Sequence, residues 1–292
     1  MKDSDSVFYE QSGRFTLVGL VIMFGVSLGA GVLLGAVYGV LVYLSPVGIL
    51  NIFAMFWLGW LMGKITGIGI VLGKVRNGWL HNLSGILAGL ATIWAAWVSW
   101  IYVYSSDSGP GALMLNPVSL WNGIIYIAEN AEFRFFGLDH PVNGIPIYIL
   151  WGLETLVLVG FPYMIAMMYM VDKSFCERCN CWVTQRVKLP RLDQPQGESI
   201  MDAVGTGDIS GILTLPSHPT GDKHIQVELL RCQTCDERYA AHVFLMAKLK
   251  RKGDKEKFMP LRRITNIRIT PEEYQALLEF KGIAEDPPDP VV

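Results

Sequence analysis

Residues 145–181, IPIYILWGLETLVLVGFPYMIAMMYMVDKSFCERCNC, join two kinds of chain with almost nothing between them. Ile145 to Val171 is an apolar run whose only charge is Glu154, and Cys176 and Cys179 follow at once as a two-cysteine clip. A second clip, Cys232 and Cys235, stands further on. This order predicts a membrane-embedded half followed directly by a metal-stapled domain.

Working back from Ile145, three more runs are long enough to cross a bilayer, which takes about 20 apolar residues. They are Phe15–Leu44, Ile49–Gly73 and Trp79–Tyr104, rich in Leu, Ile, Val, Trp and Met. Composition agrees. Hydrophobic residues make up 51% of the 292 and charged ones 17%, against about 25% charged in a soluble domain. Of the 24 Lys and Arg residues, only Lys2, Arg14, Lys64, Lys74, Arg76 and Arg134 precede Asp172. The reading is therefore an α-helical bundle of four transmembrane helices over 15–171, then a small β-rich domain over 172–282. A short segment, 1–14, comes first, and a frayed tail, 283–292, comes last.

Positive charge marks cytoplasmic loops. Lys74 and Arg76 lie between the second and third runs, whereas residues 105–144 hold only Arg134 among four acids. Both termini are thus expected in the cytoplasm, with 105–144 outside. Asp3, Asp5 and Glu10 precede a run too long for a signal peptide, so none is expected. Within the outer loop, Asn116-Pro117 can start a helix. Leu120, Ile124, Ile127 and Ala131 follow at helical spacing, a stretch suited to lying along the interface or lidding a pore.

Small residues recur at four-residue spacing. Gly25, Gly29, Gly31, Gly35 and Gly39 occupy the first run, and Gly59, Gly63, Gly67, Gly69 and Gly73 the second. Flat faces of this kind let helix backbones approach in lipid. The reading is an antiparallel hairpin zipped along glycine, or self-association of copies into a homo-oligomeric ring. Two ionisable residues fall inside the runs, and such residues suggest a functional site by default. Lys64 lies roughly 10 Å from the level of Glu154 at about 1.5 Å per residue, so Lys64 is expected to snorkel toward headgroups. Glu154 is read as a neutral or hydrogen-bonded acid, or as an ion site.

Two clips supply Cys176, Cys179, Cys232 and Cys235, four thiolates suited to a closed tetrahedral Zn²⁺ site. Asn180 and Asp236 follow the clips, and both types tolerate the positive φ such turns use. In a reducing compartment this pattern favours metal over disulfide. Cys181 is read as a spare thiol, and His218, His224 and His242 as fold residues. Strands are predicted at 182–188, 225–231, 239–249 and 258–269. Thr270-Pro271-Glu272-Glu273 reads as a capping box opening a final helix. Residues 190–222, rich in Gly, Pro, Ser and Asp, read as a loop insert with at most one short helix near 199–204. Lys248, Lys250, Arg251 and Lys252 form a basic cluster, read as a solvated turn or a contact for anionic lipid. Asp254 and Glu256 interrupt it, which argues against nucleic acid.

Phe175 to about Ile269, with its paired clips, resembles the zinc-ribbon class of small β modules, which implies protein or nucleic-acid contacts. By overall layout the chain resembles bacterial inner-membrane proteins with a C-terminal domain of that kind. No phosphate-cradling loop, nucleophile elbow or zinc-protease helix occurs, so an enzyme is not expected. The expected function is a membrane scaffold whose zinc-stapled domain docks a cytosolic protein. The alternative is an oligomeric channel or transporter with Glu154 in its pathway.

Overall fold

Backbone amides left unpaired in hydrocarbon are costly, so apolar runs of this length satisfy themselves as helices. In the computed structural model they do. It describes residues 6–45, 48–107, 111, 113–130, 144–193, 197–216, 221–235, 238–249 and 257–280. Four helices are long and apolar enough to span: α1 (Leu17–Leu44), α2 (Gly48–Gly73), α3 (Gly78–Ser106) and α5 (Ile145–Val171). Large apolar side chains cover their outer surfaces, among them Leu17, Val21, Phe53, Trp57 and Leu156. Water would not tolerate that much exposed apolar surface, but lipid does. The chain divides into two compact units, 12–170 and a second made of 1–11 with 171–292.

In the helical unit, glycine decides which helix meets which. α1 packs most extensively on α3, not on α2. A Cβ on Gly31 would stand 2.8 Å from the Ala88 carbonyl oxygen, and Gly35 and Gly39 press on the Thr92 and Ala96 carbonyls in the same way. Glycine zips the α1–α2 hairpin expected from sequence at one end only, where Gly19 and Gly73 touch backbone to backbone and Gly69 meets Met23, while further along Leu34, Tyr38 and Val42 share a cluster with Leu58 and Met62. On α2, Gly59, Gly63 and Gly67 instead receive Phe161, Ile165 and Tyr169 of α5. Gly85 and Gly89 of α3 receive Tyr163 and Val159 of the same helix. Gly25 and Gly29 meet nothing within 4 Å. Polar side chains add bridges across α1 and α3. Ser84 Oγ donates to Ser27 Oγ at 3.1 Å, and Ser99 Oγ to the Ala36 carbonyl at 2.9 Å.

Short connections are closed by side chains. Asn77 caps α3, its Oδ1 accepting from the amides of Trp79 and Leu80. His81 Nε2 donates to the Val75 carbonyl at 2.9 Å. The fifth helix, α4 (Pro117–Asn130), starts where Asn116 Oδ1 accepts from Val118 and Ser119. Its apolar face does not lie free. Leu120, Ile124 and Ile127 are buried against Val98 and Ile101 of α3. Ala131 lies outside the described residues.

The second unit is an antiparallel sheet in the order β3 (Gln185–Lys188), β5 (Lys223–Arg231), β6 (Tyr239–Leu249), β7 (Lys257–Arg268), with β4 (Leu192–Asp193) also on β5. A separate two-strand ladder pairs β1 (Phe175–Cys176) with β2 (Cys181–Trp182). Side chains alternate across a strand. Ile225, Val227 and Leu229 of β5, with Ala241, Val243 and Leu245 of β6, line one buried face. Helix α7 (Pro271–Phe280) covers it with Tyr274, Leu277 and Leu278. Its capping box is complete: Glu273 N donates to Thr270 Oγ1 at 3.1 Å, and Thr270 N to Glu273 Oε2 at 2.7 Å.

One expectation changes here. The insert 190–222 is more than a loop, since it carries β4, α6 (Gly197–Gly205) and a 3₁₀ turn (Ser210–Thr214). These place Leu192, Met201, Val204 and Ile212 in the sheet's core. The N-terminal segment joins the sheet as well. Arg268 N donates to the Val7 carbonyl and Tyr9 N to the Asn266 carbonyl, both at 2.8 Å, so Phe8 pairs with Ile267 on the edge of β7.

Replacing Gly35 by alanine should force α1 and α3 apart and cost about 1–3 kcal/mol, as overpacking does. Gly25→Ala, entering open space, should leave stability unchanged. Thermal unfolding in mild detergent checks both, and equal behaviour of the two variants would contradict the α1–α3 contact.

Candidate metal centre

The first clip closes a tight knuckle because β1 turns back on itself as β2. Phe175 faces Trp182 and Cys176 faces Cys181 across the ladder. The Phe175 and Trp182 rings meet edge to face, centroids 4.9 Å apart. Asn180 takes φ 49° in the turn. Asp236, its counterpart in the second clip, lies outside the described residues, as does His218. The second clip leaves β5 at Arg231 and returns to β6 at Tyr239, with Cys232 N donating to the Arg238 carbonyl at 3.0 Å.

Folding brings the clips together. The Sγ atoms of Cys176, Cys179, Cys232 and Cys235 all lie within 4.8 Å of one another. Cys176 and Cys235 are 3.5 Å apart, and no disulfide joins any of the five cysteines. A tetrahedral ion with metal–sulfur bonds of about 2.3 Å requires sulfurs about 3.8 Å apart. The cluster fits that need with small adjustments. Val183, Leu230 and Ala240 pack against it from the sheet, leaving Cys176 and Cys232 buried and Cys179 and Cys235 partly exposed. Cys181 is near without completing the set, its Sγ 3.8 Å from that of Cys232.

Electrostatics differ among these thiols. Burial pushes Cys232 up, yet amides of Thr234 and Cys235 and the thiols of Cys176 and Cys181 stabilise its thiolate and bring it to about 7. Burial raises Cys176 and Cys181. Hydrogen bonding to Cys235, ahead of burial, raises Cys179. Without a cation, Cys176, Cys179 and Cys181 thus favour the protonated thiol while Cys232 favours the thiolate, and a bound divalent ion would draw its ligands to the thiolate. A four-thiolate shell leaves no coordination position for water, so the chemistry it suits is holding a fold together.

Behind the clips, the polar face of the sheet is organised around Asn266, itself at φ 60°. Its Nδ2 donates to the Val171 carbonyl at 2.6 Å, and its Oδ1 accepts from Ser174 Oγ at 2.7 Å. His242 Nε2 reaches the same Oδ1 at 3.2 Å, so Nε2 carries the proton. His242 Nδ1 is then a buried acceptor without a partner among the described residues. Burial lowers the pKa of His242 and Arg186 adds to the effect, while Asp172, Asn266 and Glu228 oppose it. Burial, helped by Arg191, also lowers His224, whose ring packs on Phe258.

The two intramembrane residues singled out by sequence are not brought together. Lys64 Nζ sits over the rings of Trp60 and Tyr169, 5.7 and 5.4 Å from their centroids. Glu154 Oε1 accepts from Tyr38 Oη at 2.5 Å. Within the basic cluster, Lys248 is exposed, while Lys250, Arg251 and Lys252 lie outside the described residues.

No family model, curated protein or solved structure matches the chain.

Two measurements test this site. Elemental analysis should find one transition-metal ion per chain, lost in Cys235→Ser and retained in Cys181→Ser; retention in both would show that the clips do not form the site. Stability should fall as pH drops below 6.5. A buried His with a depressed folded pKa keeps its full contribution above the unfolded value and loses up to about 1.4 kcal/mol per pH unit below it. His242→Gln should reduce that slope, leaving His224 to supply the remainder. Hydrogen exchange of β5 and β6 amides between about pH 7 and 5 reads it.

Proposed function

We propose that this chain is a non-enzymatic membrane scaffold whose zinc-stapled, ribbon-like domain docks a partner protein beside the bilayer. The observation carrying the reading is the closed set of four thiols in a sheet that begins only three residues after the last span. Asn266 grips the carbonyl of Val171, and Arg263 pairs with the carboxylate of Asp172. Only residues 172–174 separate the span from the sheet, so whatever binds the sheet is kept near the membrane. Zinc is the ion of choice because four soft thiolates in a tetrahedral array with no open position are its structural shell. The distribution of Lys and Arg supports an orientation with the thiols on the cytoplasmic side, where they stay reduced.

A second reading, an oligomeric channel or transporter, has one observation in its favour. Tyr38 and Glu154 make a polar contact between two apolar helices where lipid offers no polar partner.

One preparation separates the two. Full-length protein and a Cys232→Ser/Cys235→Ser variant, cross-linked in native membranes, should differ in a specific protein adduct that the variant loses while its spans still insert. Unchanged cross-linking would remove the scaffold reading. Mass measurement of the same sample in mild detergent should give a monomer with one zinc, whereas a ring-sized oligomer would favour the channel.

A further inference from the structure

The metal centre needs four thiols, and the fold brings five together. The fifth is there for a topological reason. Residues paired directly across an antiparallel ladder point to the same side of it, and Cys181 is paired with Cys176. A ligand on β1 therefore carries its neighbour on β2 to the side where the second clip packs. Cys181 Sγ ends 3.8 Å from the sulfur of Cys232, while Cys176 has Cys235 as its neighbour at 3.5 Å. Cys181 is partly exposed and Cys232 is buried.

Two sulfurs in contact, one a ligand and the other not, make a dithiol that shares an atom with the metal centre. With four thiolates on an ion, Cys181 is the one thiol of the five that has no metal bond. A disulfide requires sulfurs about 2.05 Å apart, a closure of roughly 1.8 Å from the distance seen here. Turning the partly exposed Cys181 side chain from one χ1 rotamer toward another moves its sulfur by a comparable amount. A cysteine bonded to a second sulfur no longer has the thiolate charge that a divalent ion requires. Cys232 therefore holds an ion or holds Cys181, and the two are alternative states of one clip.

We propose that Cys181 and Cys232 form a second, oxidisable site, which takes hydrogen peroxide as its substrate and exchanges the metal-bound state of the second clip for a disulfide. The proposal rests on the reading of the four clip thiols as a metal centre. One sulfur attacks the peroxide, whose O–O bond breaks to leave a sulfenic acid and one water. The other attacks that sulfur, breaking its S–O bond and releasing a second water. The two sulfurs lose two electrons, the peroxide gains them, and the two thiol protons leave in the waters. Exchange with an added dithiol reverses the bond.

The test uses the full-length chain, loaded with zinc in mild detergent and treated with hydrogen peroxide. Free zinc is read with a chromogenic chelator, and disulfides are mapped by mass spectrometry after alkylation. Zinc should be released as the Cys181–Cys232 bond appears, and a dithiol with fresh zinc should restore the centre. Cys181→Ser and Cys181→Ala keep all four ligands, so both should take up zinc normally and release it at least about tenfold more slowly. Equal release from the unaltered chain and both variants would overturn the proposal and leave the metal centre standing. So would bonds confined to Cys176–Cys179 and Cys232–Cys235. A chain that takes up no zinc would overturn the metal centre itself, and this proposal with it.

Discussion

Asn266 carries more of this structure than its size suggests. Its side-chain amide holds the last carbonyl of α5, the hydroxyl of Ser174 just ahead of the first clip, and the imidazole of His242 in the middle of β6. Its own carbonyl accepts from Tyr9. Three segments far apart in sequence, at Tyr9, Val171–Ser174 and His242, thus share one residue, held in a left-handed conformation that asparagine tolerates better than most side chains. Buried polar groups are costly unless paired, and a network in which one amide satisfies several partners specifies a single arrangement. Ser174 stands just ahead of β1, so the same amide also holds the chain where the first clip begins.

The helical unit rests on a different constraint. Lipid offers no hydrophobic drive for helix association, so contacts come from how closely backbones can approach. Carbonyls of α3 rest in the positions where α1 lacks Cβ atoms, and α5 lays Phe161, Ile165 and Tyr169 into the glycine face of α2. Glycine thus serves two kinds of contact. One is backbone against backbone, and the other accepts a large side chain into a notch.

Much of this was legible in the sequence, for physical reasons. Spans declare themselves because hydrocarbon thickness sets a minimum apolar length. Caps at Asn116 and Thr270 are local chemistry, visible in four residues. Clip spacing is equally local. What could not be read is non-local. Glycine periodicity says that a face is flat but not what lies on it: of the α1 stripe, Gly31, Gly35 and Gly39 meet α3, while Gly25 and Gly29 meet nothing within 4 Å. The insert looked like a loop because each of its elements is too short to show a period, yet Leu192, Met201 and Ile212 are fully buried. Val7 and Phe8 add two apolar residues to a polar segment, too few to mark a strand. Asn266 sits in a strand pattern that gives no hint of its role.

The pairing of Phe8 with Ile267 has a topological consequence. One partner precedes the first long apolar helix and the other follows the last, so their stitch closes a ring of chain around all four. It also dates the stitch: the edge of the sheet stays unfinished until the chain beyond the last of those helices has been made.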